Sequence, residues 1–329
     1  MAKFAFIGDI NIEKKVKVDS QLQTLLNNCD FVVANMEGPI LLKKLKKWKE
    51  YSPCIYNPFE LIKDLNDQIK LTHVSIFNNH IGDYGLDGIY QTIENLNKLK
   101  IKILSKSDKI SDTRIINTGL LEYGGYFYNS IVNKFGYRLF DLINSTDINI
   151  NKKNEKLLIN AHFGVEAIKT LSNTELKIFE SLLRFKPELL VRHHPHTSQV
   201  PFKYRGTNFF TSIGDFCFCN YLRELSEGLL VIFDEKDGTS HYHKINFQNR
   251  TIFLDKKRYF VENEKPKMIN RAQIFELRKR ILKEYRLENK HIIKKLIKKN
   301  LGLEKDFFSI YQLSLDHIQP YLINEIWNK

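Results

Sequence analysis

The chain has 329 residues, 43% of them hydrophobic, and carries a net charge of +13. That length allows one large domain with an appendage, and a mean hydropathy of −0.35 is ordinary for a globular protein. A disulfide scaffold and a helical membrane protein are both excluded: the four cysteines (Cys29, Cys54, Cys217, Cys219) are scattered, and no apolar run approaches the roughly 20 residues a spanning helix needs.

"MAKFAFIGD" begins almost at once with a core strand at 3–9, leaving no room for a removable leader; with the cysteine usage, this predicts a cytoplasmic protein. Residues 18–28 have helical spacing behind an Asp/Ser cap, and 30–38 is strand-like. "NPFELIKDLND" reads as a helix with Pro58 just inside its start. A strand at 71–77 leads into a helix over 86–100, with Ile89, Ile93, Leu96 and Leu99 on one face. Strands follow at 101–104, 113–119, 155–164 and 188–196, the last two separated by a helix over 173–185. Beyond 205 the β-like runs are closely spaced, with Asp237-Gly238 as a hairpin turn. From about 266 the chain reads as basic amphipathic helix. The alternation predicts an α/β fold of layered sheets with helices outside over residues 1–260, followed by a helical basic extension over 261–329.

Charge is concentrated late: residues 251–300 hold 16 Lys/Arg against 6 Asp/Glu, and a second basic knot is "LLKKLKKWKE" at 41–50. The helical stretch 271–300 places Ile274, Leu277, Ile281, Leu282 and Tyr285 on one stripe, to dock on the domain or to lie on an anionic membrane surface. Nucleic acid is not the expected partner, since the basic residues show no aromatic interleaving and no reader motif.

Five apolar runs end in polar residues that can ligate or move protons. Asp9 and Asn11 end the first, Asn35 and Glu37 the second, and Asn78, Asn79 and His80 the third, with Asp83 one turn on. His162, with Glu166 nearby, ends the fourth, and His193, His194 and His196 end the fifth. Ligands of α/β sheets bind at the carboxyl ends of strands, so strands lying side by side bring Asp9, Glu37, Asn79, His162, His194 and His196 to one rim. Mixed N/O ligands suit Mn, Fe or Zn, and two such ions about 4 Å apart clamp a displacement at phosphorus. His80 with Asp83 makes a proton donor oriented by a carboxylate. Taken singly each residue has a plainer role: a strand-end aspartate caps a turn, and Asn78 with Asn79 forms an Asx turn.

The stretches "GDIN" (8–11), "NMEGPI" (35–40), "NNHIGDYGLDGIYQTIENL" (78–96), "HFGVE" (162–166), "HHPHTSQ" (193–199) and "FTSIGDFCF" (210–218) resemble, in this order, the bacterial capsule-synthesis family often called CapA or poly-γ-glutamate capsule proteins. The resemblance covers roughly residues 3–220. It implies a metallophosphoesterase-like α/β/β/α sandwich of the calcineurin-like superfamily, with two divalent metal ions. One would be held by Asp9, Glu37 and His196, with Asn11; the other by Glu37, Asn79, His162 and His194; Glu37 would be the bridge and His80 the acid. Asn11 stands where calcineurin-like enzymes usually have a histidine, and Asp215 where the family more often has Asn. Asn35, Glu166 and Arg192 are candidate substrate contacts. His193 is read as a surface residue or a support behind the ligands, Cys217 and Cys219 as strand packing, and His241 and His243 as surface residues.

The function expected is therefore a metal-dependent hydrolase or transferase acting on a phosphate ester or related group in capsule or surface-polysaccharide biosynthesis. The alternative is a non-hydrolytic assembly protein that binds a polymer or precursor at the same rim. The expected partners are a surface-polysaccharide or polyamide precursor, an anionic inner-membrane face, and other capsule-assembly proteins.

Overall fold

In the computed structural model, which describes residues 1–46, 54–119, 129–144, 155–218, 227–261, 263, 268–270 and 273, two sheets pack face to face with helices on their outer sides. The first sheet is centred on β1 (Lys3–Asn11), flanked by parallel β2 (Phe31–Met36) and β3 (His73–Ser75). The second holds four parallel strands in spatial order: β4 (Thr113–Gly119), β5 (Lys156–His162), β6 (Leu189–His193) and β7 (Thr207–Phe210). Helices α1 (Ser20–Asn27), α2 (Phe59–Ile69) and α3 (Gly85–Lys98) cover the first sheet, and α4 (Asn173–Leu182) covers the second.

Period-2 alternation builds the layers. On β1, Phe4 and Phe6 point between the sheets and meet Val33, Leu158, Leu189 and Val191, whereas Ala5 and Ile7 face the helices. On β5, Leu158 points inward while Leu157, Ile159 and Ala161 pack under α4. Strands buried on both faces read as unbroken apolar runs, which is why "KFAFIG" and "LLINA" carry no polar face. The four-layer α/β/β/α arrangement is the one the sequence predicts.

Strand β1 divides its partners. Its first half pairs antiparallel with β9 (Glu227–Asp234), and its last residues pair parallel with β8 (Asp215–Phe218), setting Asp9 beside Asp215. The register shifts at Gly8, where an added Cβ would lie 2.1 Å from the Gly214 carbonyl oxygen. Only glycine allows that approach. β10 (Thr239–Gln248) pairs with β9 across the Asp237-Gly238 turn.

Local details depart from the predictions. Asp19 is the N-cap of α1 but makes no side-chain cap bond, and Pro58 is the N-cap of α2 rather than its first helical residue. His243 is not a surface residue: it is 6% exposed, and half-buried His241 stacks edge-on against it. Cys217 packs in the core as expected. Cys219, residues 47–50 of the basic knot and the stripe on 271–300 lie outside the described residues, as does most of the 261–329 extension. Past residue 260, Ile269 pairs with Ser172 and Met268 packs against the α4 side of the second sheet. Among the described residues no helix is long and apolar enough to cross a membrane.

Candidate metal centre

The carboxyl ends of β1, β2, β3, β5 and β6 meet at one edge of the sandwich, so side chains from both sheets converge there. Links across the sheets fix the meeting. His194 N–H donates to Asp9 Oδ2 at 3.1 Å, His162 Nε2 lies 2.9 Å from Asn79 Oδ1, and the same nitrogen is 3.7 Å from Glu37 Oε1. Among the described residues two triplets can hold a cation, Asp9–Glu37–His162 and Asp9–His196–Asp215, each with ligand atoms within 4.8 Å of one another. Asp9 rather than Glu37 is the residue the two share.

Burial gives this cluster its electrostatics. Asp9 and Glu37 are both 0% exposed. Burial, reinforced by the Asp9 charge, pushes Glu37 up to about 8. Asp9 stays well below the carboxylate range although burial opposes it, because the His193 and His196 rings adjoin it. Burial also holds His162 well below its ordinary value and His194 at about 4, so both rings keep free lone pairs at neutral pH. His196 behaves oppositely: burial disfavours its cation, but Asp215 and Asp9 hold it well above the usual histidine range. Burial raises Asp215 to about 7 against the pull of His196.

The residues fit a divalent cation. Glu37 Oε1, His162 Nδ1 and His194 Nδ1 are buried without a hydrogen-bond partner, and such orphans cost roughly 1–3 kcal/mol each unless something binds them. The loop carrying two of the histidines is also held in an uncommon backbone, with φ of 95° at His194 and 56° at His196. Strain of this kind clusters at functional sites.

Around the ligands lie residues that aim them. Asn35 does not face substrate; it is fully buried and donates its amide to Asp9 Oδ1 at 2.8 Å and to Glu37, holding both carboxylates. Asn78 donates in turn to Asn35 Oδ1 at 3.2 Å and to the Met36 carbonyl at 2.7 Å, and accepts from His80 N–H at 3.1 Å. His80 and Asp83 pair as expected, Nδ1 to Oδ2 at 2.7 Å. Glu166 is half-buried, with its charge acting on His194 and Asp215. Asn11 is at the rim, but its amide nitrogen points at the Tyr56 carbonyl (3.3 Å) and the Glu37 carbonyl (3.4 Å).

Arg192 is not an anion contact. It is 0% exposed, ion-paired to Glu175, bonded to the Thr211 carbonyl and to Gln199 Oε1 at 3.0 Å, and set against the rings of both Phe163 and Phe179. Gly164, at φ +126°, makes room for it: a Cβ there would sit 2.6 Å from Arg192 Nη1. The guanidinium thus ties the loop after His162 to the strand that presents His194.

Sequence reasoning missed a polar ladder between the sheets. Asn117 Nδ2 donates to the Phe135 carbonyl, Asn160 Nδ2 donates to Asn117 Oδ1 (2.9 Å), and His193 Nε2 faces Asn160 Oδ1 (3.1 Å). Ser75 joins at Asn117 Oδ1 (3.1 Å). At its far end His193 Nδ1 lies 3.1 Å from Asp9 Oδ1, at ion-pair distance though out of line for a regular hydrogen bond. His193 is therefore a buried neighbour of Asp9, and the available signal was a lone asparagine directly after the apolar pairs Ile115-Ile116 and Leu158-Ile159.

Comparison with known proteins follows the same lines. Residues 3–116 match the family described as bacterial capsule synthesis protein PGA_cap. The PGA biosynthesis protein CapA of Bacillus subtilis (strain 168) is 23% identical over 72% of this chain and 69% of its own length. The capsule biosynthesis protein CapA of Bacillus anthracis is 23% identical over 89% of this chain and 79% of its own. Among solved structures, Vacuolar Protein Sorting 29 from Cryptosporidium parvum aligns with 79% of this chain and 98% of its own, at 12% identity and a TM-score of 0.35. The Entamoeba histolytica counterpart, crystallised with zinc, aligns with 78% and 98% at 10% identity and a TM-score of 0.34.

Proposed function

For a chain that belongs to the bacterial capsule-synthesis (PGA_cap) family, we propose a divalent-metal-dependent hydrolase or transferase acting on a phosphate ester or related group in capsule or surface-polysaccharide biosynthesis. The observation that carries this reading is the buried, unpartnered Glu37 Oε1 facing His162 Nε2 at 3.7 Å, beside a carboxylate-held histidine, His80. Asp9, Glu37, Asn79, His162, His194 and His196 would hold the metal, which when bound supplies Lewis acidity and a nucleophilic water.

The chain's own residues do the rest. Asn35 keeps the Asp9 and Glu37 carboxylates from rotating. Asp83 holds the Nδ1 of His80, which leaves Nε2 as the atom that passes a proton to a leaving group. The precursor would be a surface-polysaccharide or polyamide intermediate, met at the inner face of the membrane with other assembly proteins.

A second reading, in which the rim binds a precursor without turning it over, is favoured by one observation: a neutral amide, Asn11, stands at the end of the first strand where calcineurin-like enzymes usually have a histidine. The experiment is elemental analysis of protein purified without added metal or chelator, for the unsubstituted chain and His194→Ala, together with turnover of a generic phosphodiester. About two metals per chain, lost in the variant, with turnover supports the enzyme. Metal without turnover favours the binding protein, and no metal even after Mn2+ or Zn2+ is supplied overturns the enzyme and leaves the binding protein.

A further inference from the structure

The ligand set leaves one buried carboxylate unassigned. Asp215 opens β8 as the register partner of Asp9, and its Oδ1 lies 2.8 Å from His196 Nδ1. The same ring nitrogen is 3.3 Å from Asp9 Oδ2, so two carboxylates converge on one imidazole. Among the described residues, histidine rings are the only cationic groups within ion-pair distance of either carboxylate. Two buried carboxylates this close repel each other unless a cation lies between them.

Asn11, which the strand-end pattern nominates here, has its Nδ2 3.3 Å from the Tyr56 carbonyl, 3.4 Å from the Glu37 carbonyl and 3.5 Å from Asn57 Oδ1. Independently, Glu37 Oε1 is buried without a partner in the triplet that shares Asp9. The two triplets that share Asp9 thus set Glu37, Asp9 and Asp215 side by side.

We propose that Asp215 is a cation ligand and that it completes the position at Asp9 and His196. The proposal rests on the metal-centre reading above and adds a cation preference to it. Two carboxylates with one imidazole make an oxygen-rich set, which suits Mn2+ or Mg2+; the position of Glu37, Asn79, His162 and His194, with two imidazoles, suits Zn2+ or Fe2+. The two halves of the centre are thereby built for different cations.

The test is Mn2+ titration of the full chain, with free Mn2+ read by electron paramagnetic resonance and Zn2+ as competitor. Asp215→Asn keeps an acceptor for the His196 Nδ1–H and so preserves ring orientation while removing the charge. Asp215→Ser serves if the amide variant does not fold. The expected result is that Asp215→Asn weakens one Mn2+ position by at least about tenfold and that Zn2+ displaces Mn2+ from the other first. Unchanged Mn2+ affinity in Asp215→Asn overturns the assignment and leaves the metal centre standing. An unsubstituted chain that binds neither Mn2+ nor Zn2+ overturns the metal-centre reading, and this proposal with it.

Discussion

The Nδ1 of His80 lies 2.7 Å from Oδ2 of Asp83, and that carboxylate oxygen also accepts the Ile55 N–H at 3.0 Å. A fully buried acid anchored to backbone on one side fixes the imidazole on the other. Proton transfer by a positioned side chain is worth about 10²–10⁴ in rate, so His80→Ala is expected to lower phosphodiester turnover by that factor. Neither residue belongs to a cation triplet, so metal content measured by elemental analysis stays unchanged. Loss of metal in His80→Ala would place this histidine among the ligands instead.

Asn160 sits in the middle of the ladder, between Asn117 and His193. Asn160→Ala leaves His193 Nε2 without its acceptor and Asn117 Oδ1 with Ser75 alone, at a cost of about 1–3 kcal/mol in urea unfolding. It also frees the ring beside Asp9, so Mn2+ affinity is expected to fall with stability. A variant as stable as the parent would show that the ladder contributes nothing.

Arg192→Ala is expected to destabilise the fold by about 3–5 kcal/mol, because it strands the Glu175 carboxylate in the core. Glu175 also caps α4 through Ser172, so the damage spreads to that helix. Inorganic phosphate, meanwhile, is expected to stabilise parent and variant equally in thermal melts, since Arg192 reaches no solvent. A phosphate effect lost only in the variant would restore Arg192 as an anion contact.

Glu235 supplies the pH dependence. One carboxylate accepts from Ala2 N–H (2.8 Å), Ser111 Oγ–H (2.9 Å), Asp112 N–H (2.9 Å) and Thr113 Oγ1–H (2.8 Å), strapping the chain start and β9 to the second sheet. Burial raises its pKa, but these four donors prevail and hold it below the ordinary glutamate value. The unfolded chain therefore binds the proton first as pH falls, and the stabilisation is present above about pH 4.3 and lost as pH drops through the lower folded value. Glu235→Gln should be less stable than the parent at pH 7, with the gap closing toward pH 3. A gap that stays constant with pH would mean the carboxylate charge is not what holds the strap.

Chelation is expected to lower the melting temperature, because a cation that binds only the folded chain adds about 2.7 kcal/mol at a hundred times its Kd. Adding back Mn2+ restores the melt. An identical melt before and after chelator argues against a resident metal.

Local pattern alone determined the strands and their order, because residues buried on both faces must be apolar wherever the chain goes next. The runs at 3–9, 113–119 and 155–164 became β1, β4 and β5, and the polar residues that end the first and third became Asp9 and His162 of the centre. The strand-end rule sufficed for those, since position along a strand is a local property.

What a polar side chain touches once it is there was decided only by the tertiary structure. Asn35, Arg192 and His193 look alike in sequence to residues that face a ligand, yet partners from other strands turn them inward: Asn35 to two carboxylates, Arg192 to Glu175, and His193 to Asn160 and Asp9. Asn11 and Asp215 show the same dependence on distant partners. The amide is captured by the turn at 56–57, whereas β8 lies against the end of β1 and delivers a carboxylate from more than two hundred residues away. Pairing between distant strands sets these contacts, and no window of local sequence contains both partners.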